Sequence, residues 1–299
     1  MKLKTVLGKC VRKLLPFFPH RIAHTILFYL NHGYFLDWNN PKTYDEKMTW
    51  TLAYCFGKKE AVFADKYRVR EYVKKCGYSD LLPKVYNVWD NAEEISADNL
   101  PNQFVLKANH GTGKEFYIIC KDKSRFNLEE AKQQFRIALN STIWKNQLEY
   151  HYKYIKPLVF AEEFLNDEIE DRMIDYKIHC FGGEPICILV CSNRSDSLKL
   201  DYYDLEWNRL DVIPDSRQAD ALAKKPLGLS KMIEAARKLS QPFPAARIDF
   251  YDVLGKVYFG EITLTPAGAN LTYINEKWQQ KLGGIFALPS KNDSFSNLI

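Results

Sequence analysis

Two acidic side chains near the end of the chain are spaced so that they could share a metal ion. Residues 246–253 and 257–263 have the strand-like patterns of a hairpin. A three-residue turn at 254–256 would place Asp249 opposite Glu261, with Cβ atoms ~5 Å apart. Facing carboxylates repel each other unless a cation lies between them, and oxygen ligands suit Mg²⁺. A surface hairpin with solvated charges is the alternative, but the apolar neighbours favour a buried metal site.

A loop with two glycines is the second candidate site. The predicted strand over residues 104–108 leads into the sequence NHGTGKE, and a second predicted strand follows. Gly111 and Gly113 allow successive backbone N–H groups to point at an anion, as in a phosphate-binding nest. Lys107 precedes the loop and Lys114 follows it. The Walker A spacing is absent, and an ordinary hairpin turn is the alternative interpretation.

The third candidate is the end of an apolar strand at residues 158–164. This strand carries two acids, Glu162 and Glu163, before the sequence becomes apolar again. Backbone groups at such a strand end can pair with the edge of an adenine ring. Taken alone, the pattern fits the end of many strands.

These candidates lie in a chain that mixes helices and strands. Helices are predicted over residues 45–54, 60–75, 128–139 and 231–239. Strands are predicted over residues 85–89, 176–181 and 185–192, the last two forming a hairpin over Gly182 and Gly183. The order of elements predicts an α+β fold with a smaller unit followed by a larger one.

Composition restricts the class of protein. The chain has 299 residues, of which 46% are hydrophobic and 26% charged, as expected for a globular protein. It contains neither an apolar run long enough for a membrane span nor a secretory leader pattern, so we expect a cytoplasmic protein. The seven cysteines include no CxxC spacing, and we interpret them as small buried side chains in a reducing compartment.

The positive charge is concentrated at the N-terminus. Residues 1–36 contain six basic residues and no acid: Lys2, Lys4, Lys9, Arg12, Lys13 and Arg21. The rest of the chain is almost neutral, which is atypical of a nucleic-acid-binding protein, and no nucleic-acid partner is expected. Apolar residues recur at helical spacing in this segment, so residues 1–30 could contact an anionic membrane surface. A helix that packs on the body and keeps its lysines in water is the alternative.

The candidate segments occur in the order typical of the ATP-grasp superfamily. Ala64-Asp65-Lys66, before a helix that ends at Gly77, resembles the family's DK…G segment. FVLKANHGTG resembles the phosphate-binding strand and glycine loop, AEEFL the adenine hinge, and RIDF…GEITLTPAG the magnesium site. The resemblance covers about residues 61–284. The phrases PKTYDEKMTW and DYKIHCFGG are similar to the TupA-like branch, whose members resemble enzymes encoded with capsule and exopolysaccharide genes.

The resemblance implies a role for each matching residue. The implied ATP-binding residues are Lys66, Lys107, Gly111, Thr112, Gly113, Lys114, Glu162, Glu163, Phe164, Leu165, Asp175 and Lys177. Asp249, Glu261 and Thr263 would hold Mg²⁺, with Thr263 in place of the family's usual Asn. Arg247 would stabilise an acyl phosphate, and Arg194 is a weaker candidate for binding the substrate carboxylate.

The resemblance also implies an architecture. It is the ATP-grasp fold, α+β in class, in which two α+β lobes grip ATP. An N-terminal helical segment at residues 1–60 would replace the usual pre-ATP-grasp domain. The small lobe would span residues 61–165 and the large lobe residues 166–289, followed by a tail at 290–299.

The implied activity is that of an ATP- and Mg²⁺-dependent carboxylate–amine ligase that forms a C–N bond through an acyl phosphate. We expect the substrates to be an amine or amino acid and a saccharide carboxylate, such as a uronic acid of a cell-surface polysaccharide. A glycosyltransferase of the same pathway and an inactive nucleotide-binding scaffold are the alternatives. The protein would be cytoplasmic, with peripheral membrane contact as a further option.

Overall fold

The computed structural model describes residues 11–165, 174–192 and 198–291. Within these ranges the strands form two antiparallel sheets, and helices precede and flank them. Arg194 and the far end of the predicted tail lie outside the described residues. In the part of the chain that is described, no helix is long and apolar enough to cross a membrane.

Helices make up the first part of the described chain. A short 3-10 turn at Leu15–Phe17 is followed by α1 (His20–His32) and α2 (Tyr44–Tyr54). Helix α2 begins at a capping box, in which the Thr43 side chain accepts a hydrogen bond from Glu46 N–H and the Glu46 carboxylate accepts one from Thr43 N–H. This helix agrees with the one predicted over 45–54.

The single helix predicted over residues 60–75 is wrong. The chain forms two shorter helices, α3 (Ala61–Ala64) and α4 (Val69–Lys75), separated by a break at Asp65. The Asp65 carboxylate accepts hydrogen bonds from the N–H groups of Tyr67 at 3.0 Å and Arg68 at 2.9 Å. Because an aspartate side chain competes with helical backbone bonds in this way, it starts a new turn rather than continuing the old one.

The small sheet contains β1 (Val85–Trp89), β2 (Phe104–Ala108), β3 (Tyr117–Cys120) and β4 (Val159–Glu163), in the order β1-β4-β2-β3. Helix α5 (Leu128–Leu139) packs its apolar side chains against this sheet, with Phe135 completely buried. A short helix, α6 (Trp144–Gln147), and a 3-10 helix at Tyr150–Tyr154 lead back into β4. Strands β1 and β2 and helix α5 have the predicted bounds.

The large sheet has six strands in the order β10-β9-β5-β6-β7-β8. They are β5 (Asp175–Phe181), β6 (Glu184–Ser192), β7 (Lys199–Tyr203), β8 (Arg209–Leu210), β9 (Ala245–Val253) and β10 (Lys256–Thr263). Helix α7 (Leu229–Ser240) covers one face, and α8 (Glu276–Ile285) packs against α2. The core between sheet and helices is apolar, with Ile188, Ile248 and Met232 completely buried.

The last hairpin has the predicted pairing but a different turn. A two-residue turn at Leu254 and Gly255, both with positive φ, joins β9 to β10. This turn alone would pair Asp249 with Gly260, but a β-bulge at Gly260 moves the register by one residue. Asp249 therefore lies opposite Glu261, as predicted, although the predicted three-residue turn is wrong.

Candidate active site

A cluster of charged side chains occupies one face of the large sheet, where β10, β9 and β5 lie side by side. Arg247 makes two hydrogen bonds to Asp249, from Nε at 2.6 Å and from Nη2 at 2.7 Å. The same Nη2 donates to Glu261 Oε1 at 3.2 Å. The guanidinium group therefore joins the two facing carboxylates, and it supplies a cation that relieves their repulsion.

Two lysines complete the cluster. Lys177 on β5 lies opposite Asp249 in the register and forms an ion pair with it. Lys66, from the break between α3 and α4, places Nζ at 2.8 Å from Glu261 Oε2. Burial alone would raise the pKa of Glu261, but Lys66, Lys177 and Arg247 hold it well below its usual range. Three cations thus face two carboxylates, which leaves a positive charge that suits phosphate.

The predicted metal residues are in contact with one another. Thr263 donates a hydrogen bond to Glu261 Oε1 at 3.0 Å and accepts one from Arg247 at 3.0 Å. Asp249, Glu261 and Thr263 offer the oxygen atoms that Mg²⁺ prefers. Among the described residues, no group of three or more His, Cys, Asp or Glu side chains could hold a metal. This donor set fits an ion that takes the rest of its ligands from nucleotide phosphates and water.

Lys66 owes its position to a buried network that the sequence analysis missed. Asn109 Nδ2 donates to Asp65 Oδ2 at 2.8 Å, and Lys66 N–H donates to Asn109 O at 2.9 Å. Asn109 also accepts from Leu158 N–H at 2.9 Å and donates its own N–H to Leu158 O at 3.1 Å. Asn109 therefore connects the break between α3 and α4, which carries Lys66, to the end of β2 and to Leu158 just before β4. The sequence signal was present, since Asn109 directly precedes HGTG.

In the small sheet, Lys107 forms an ion pair with Glu162 on the neighbouring strand. The predicted phosphate lysine and the predicted adenine acid are thus in direct contact. The Glu163 N–H donates to Lys84 O at 2.8 Å, so this backbone group is already bonded within the protein. Phe164 and Leu165 follow β4 and are half-buried.

The glycine loop packs against α5. A Cβ atom on Gly111 would lie 1.9 Å from the Phe116 ring, and Gly113 has φ +99°. Gln134 on α5 donates to the carbonyls of Lys114 at 3.1 Å and Tyr117 at 3.1 Å. Thr112 and Lys114 are exposed.

Asp175 begins β5, two residues before Lys177, and is buried. Its spacing from Lys177 places both side chains on one face of the strand. Arg194 lies outside the described residues. Glu149, which the sequence analysis also missed, lies beside the cluster and accepts a hydrogen bond from the Thr265 hydroxyl.

Comparison with known families shows to which protein family the chain belongs. The sequence model of the family described as TupA-like ATPgrasp matches residues 46–287. The chain therefore belongs to the TupA-like ATP-grasp family, and its fold is the α+β ATP-grasp fold expected from the sequence. No curated protein was found to match the chain.

Similar solved structures include D-alanine–D-alanine ligase from Bacillus anthracis, with 15% identity, coverage of 81% of this chain and 66% of that chain, and a TM-score of 0.45. Another is N5-carboxyaminoimidazole synthetase from Staphylococcus aureus in complex with ADP, with 12% identity, coverage of 78% and 54%, and a TM-score of 0.42. A third is the ATP-grasp ligase PsnB with minimal precursor, Mg and ADP, with 13% identity, coverage of 74% and 57%, and a TM-score of 0.39. The chain spans two thirds or less of the length of these proteins.

Proposed function

We propose that this protein is an ATP- and Mg²⁺-dependent ligase that joins a carboxylate to an amine through an acyl phosphate. The observation that carries the proposal is the cationic cluster around Asp249 and Glu261. The hydrogen bond between Asp65 and Asn109 positions Lys66 in this cluster. Family membership supports it, as does the phosphate-binding lysine Lys107 at the end of β2.

Different residues bind different parts of the nucleotide. Lys66 and Lys107 hold the nucleotide phosphates, while Gly111, Gly113 and the loop backbone cover them. Glu162 binds the adenine amino group, the backbone of Glu163 and Leu165 binds the ring edge, and Asp175 binds a ribose hydroxyl. Arg247 stabilises the negative charge that develops on the transferred phosphoryl group.

Mg²⁺ held by Asp249, Glu261 and Thr263 would neutralise phosphate charge when it is bound. The oxygens of Asp249 and Glu261 accept hydrogen bonds from Arg247, Lys66 and Lys177, so the residues that would hold Mg²⁺ are in contact with the cations that would bind the substrate phosphates. The protein's contribution is positioning and charge neutralisation, as in other phosphoryl transfers.

We infer that the acid is a uronic acid of a cell-surface polysaccharide or of its precursor, and that the amine is an amino acid or a simple amine. The basis of this inference is the resemblance to the TupA-like branch, whose members resemble enzymes encoded with capsule and exopolysaccharide genes. Arg194 remains our candidate for binding the substrate carboxylate. The domain boundaries at residues 60, 165 and 289 remain part of this proposal, as does a cytoplasmic location.

The test is to incubate the protein with ATP, Mg²⁺ and a panel of uronic acids and amino acids, and to measure ADP. ADP that appears only when both an acid and an amine are present supports the ligase. Release of a nucleoside diphosphate from a sugar nucleotide would instead indicate a glycosyltransferase. ATP binding without turnover would indicate an inactive scaffold.

We further propose that the N-terminal helices contact an anionic membrane. Several large apolar side chains on this segment are exposed, among them Phe17 at 81% and Phe35 at 66%. Leu15, Leu27 and Phe28 face the body instead, so the exposed residues form an outer face. Lys13 and Arg21 are exposed beside them, and residues 1–36 contain no acid. Aromatic rings next to basic groups suit the headgroup region of anionic lipids.

Sedimentation with phosphatidylglycerol vesicles tests this surface. We expect the parent protein to bind and a Phe17→Ser, Phe35→Ser variant to bind much more weakly, with binding that falls as salt rises. A variant with Ile137→Ser, which removes an exposed apolar residue from α5, is the control. Equal sedimentation of the parent and the double variant would contradict the proposed membrane contact.

A further inference from the structure

Glu149 lies next to the candidate active site and has no role in the proposed handling of ATP. It follows α6, and its N–H donates to Trp144 O at 2.9 Å. Its carboxylate accepts a hydrogen bond from Thr265, which lies two residues beyond Thr263 on the segment that leaves β10. The residue as a whole is half-buried.

The charge balance at Glu149, outside the cluster, differs from that of the cluster acids Asp249 and Glu261. Asp249 is paired with Arg247 and Lys177, and Glu261 is paired with Lys66 and Arg247. For residues 11–165, 174–192 and 198–291, no Lys, Arg or His forms an ion pair with Glu149. Burial raises the pKa of Glu149 to about 7, although the Thr265 hydrogen bond lowers it. A carboxylate so placed is complementary to a positively charged group that arrives with a ligand.

Tyr152 links this acid to the cluster. Burial raises the pKa of its phenol well above the usual range, and the charges of Glu149 and Glu261 add to this effect. Tyr152 N–H also donates to Glu149 O at 3.0 Å, and its side chain packs against the apolar group that contains Ala64, two residues before Lys66. Glu149 is therefore held both to the segment that follows Thr263 and, through Tyr152, to the segment that carries Lys66.

We propose that Glu149, with Thr265 and Tyr152, forms the subsite that binds the amine substrate and accepts its proton. This inference rests on the proposed ligase function, and it assigns the nucleophile's position. The amine nitrogen attacks the acyl carbon, a C–N bond forms, and the C–O bond to phosphate breaks with its electron pair on the phosphate. The amine binds as an ammonium ion and loses its first proton to Glu149, which passes it to solvent, so the nitrogen lone pair is free before the attack. Glu149 takes a second proton from nitrogen during the attack and passes it to the departing phosphate, so it returns to its starting state.

The variant Glu149→Gln tests the subsite, because it keeps the shape and the Thr265 hydrogen bond but removes the charge. We expect the KM for the amine to rise at least tenfold and kcat to fall, while the KM for ATP stays within twofold. Hydroxylamine, largely uncharged at neutral pH, should still trap the acyl phosphate as a hydroxamate at a rate close to that of the parent. Equal loss of the amine and hydroxylamine reactions would overturn the inference, as would an unchanged KM for the amine.

Asp45→Asn is the matched control. Burial also raises the pKa of Asp45 to about 7, but its carboxylate accepts hydrogen bonds from Leu271 N–H and Gln279 in the packing between α2 and α8. We expect this variant to change the melting temperature without changing the KM for the amine. An equal rise in that KM would mean that Glu149 acts through the fold.

A binding assay separates this inference from the proposed function. With a non-hydrolysable ATP analogue and Mg²⁺ present, the panel of amino acids and simple amines is tested for a rise in melting temperature. We expect at least one amine to stabilise the parent and not Glu149→Gln. No stabilisation of the parent by any amine would overturn the subsite. If the parent forms no ADP with any acid, the proposed function is contradicted. The change in melting temperature with amines would still show whether Glu149 forms an amine-binding subsite.

Discussion

The two sheets hold their charged residues in different ways. In the small sheet, Lys107 and Glu162 form a pair of one cation and one acid. In the large sheet, Arg247, Lys177 and Lys66 surround Asp249 and Glu261, and positive charge is in excess. Both Asp249 and Lys177 have almost fully buried side chains, with exposed fractions of 4% and 11%. Buried ions are costly unless each has a partner.

This difference indicates how each sheet would respond to a ligand. The pair of Lys107 and Glu162 has no net charge. The two side chains can therefore contact different parts of a nucleotide without leaving an uncompensated charge in the small sheet. The large-sheet cluster carries an unmatched positive charge, which an anion would balance. Its members also support one another, so removing one should affect the fold as well as binding.

The largest effect is expected from Arg247→Met, which removes the cation shared by both carboxylates. We expect the free energy of unfolding to fall by about 3–5 kcal/mol, because two buried acids lose a partner. Urea denaturation measures this change. Arg237→Met is the control, since Arg237 and Glu184 form an exposed pair at 3.1 Å and such pairs contribute roughly 0–1 kcal/mol. Equal losses in the two variants would mean that the large cluster is not a cooperative unit.

A smaller loss is expected from Asp249→Asn. Repulsion between facing carboxylates, which is all that the sequence indicates, predicts that this variant is at least as stable as the parent. The ion pairs with Arg247 and Lys177 predict the opposite, a loss of about 2–3 kcal/mol without nucleotide. Melting curves with and without Mg-ATP distinguish the two. Unchanged stability without ligand would favour repulsion.

The small sheet is tested by Lys107→Ala and its matched variant Lys114→Ala. Lys107 is held beside Glu162, whereas Lys114 is exposed on the loop. We expect ATP affinity to fall about tenfold in the first variant, a loss of ~1.4 kcal/mol, and less than about twofold in the second. Titration calorimetry with ATP and Mg²⁺ measures both. A larger effect at Lys114 would assign phosphate binding to the loop.

A pH dependence of stability is expected at Glu149. Its pKa is about 7 in the folded protein and ~4.3 in the unfolded chain, so the folded state binds more protons between these values. The stability that this acid provides is present below pH ~4 and is lost as pH rises to about 7. Glu149→Gln has no carboxyl group to titrate at this position. As pH rises from ~4 to about 7, its free energy of unfolding should therefore increase relative to that of the parent by roughly 1 kcal/mol or more. A difference independent of pH would contradict the raised pKa.

The sequence determined much of this molecule because the decisive patterns are local. Strand-like apolar patterns predicted β2, β9 and β10, and a helical pattern predicted α5, which the structure shows to be capped by Asn127. The chain's membership in the ATP-grasp superfamily followed from phrases that each lie within one or two elements. The opposition of Asp249 and Glu261 was also predicted, although it depended on a bulge at Gly260 that compensates for the shorter turn.

Tertiary structure decided which charges meet. The break at Asp65 follows from local hydrogen bonds of its carboxylate, but the position of that break in the fold depends on Asn109, 44 residues away, whose amide bonds Asp65. Lys66 and Glu261 come together through that break, and Glu149 reaches Thr265 across 116 positions. Helical and strand periods describe which face a side chain occupies, but they contain no information on which distant face it will meet. The pairing of charges in the cluster is therefore a property of the fold, set by the low tolerance of a buried site for unpaired ions.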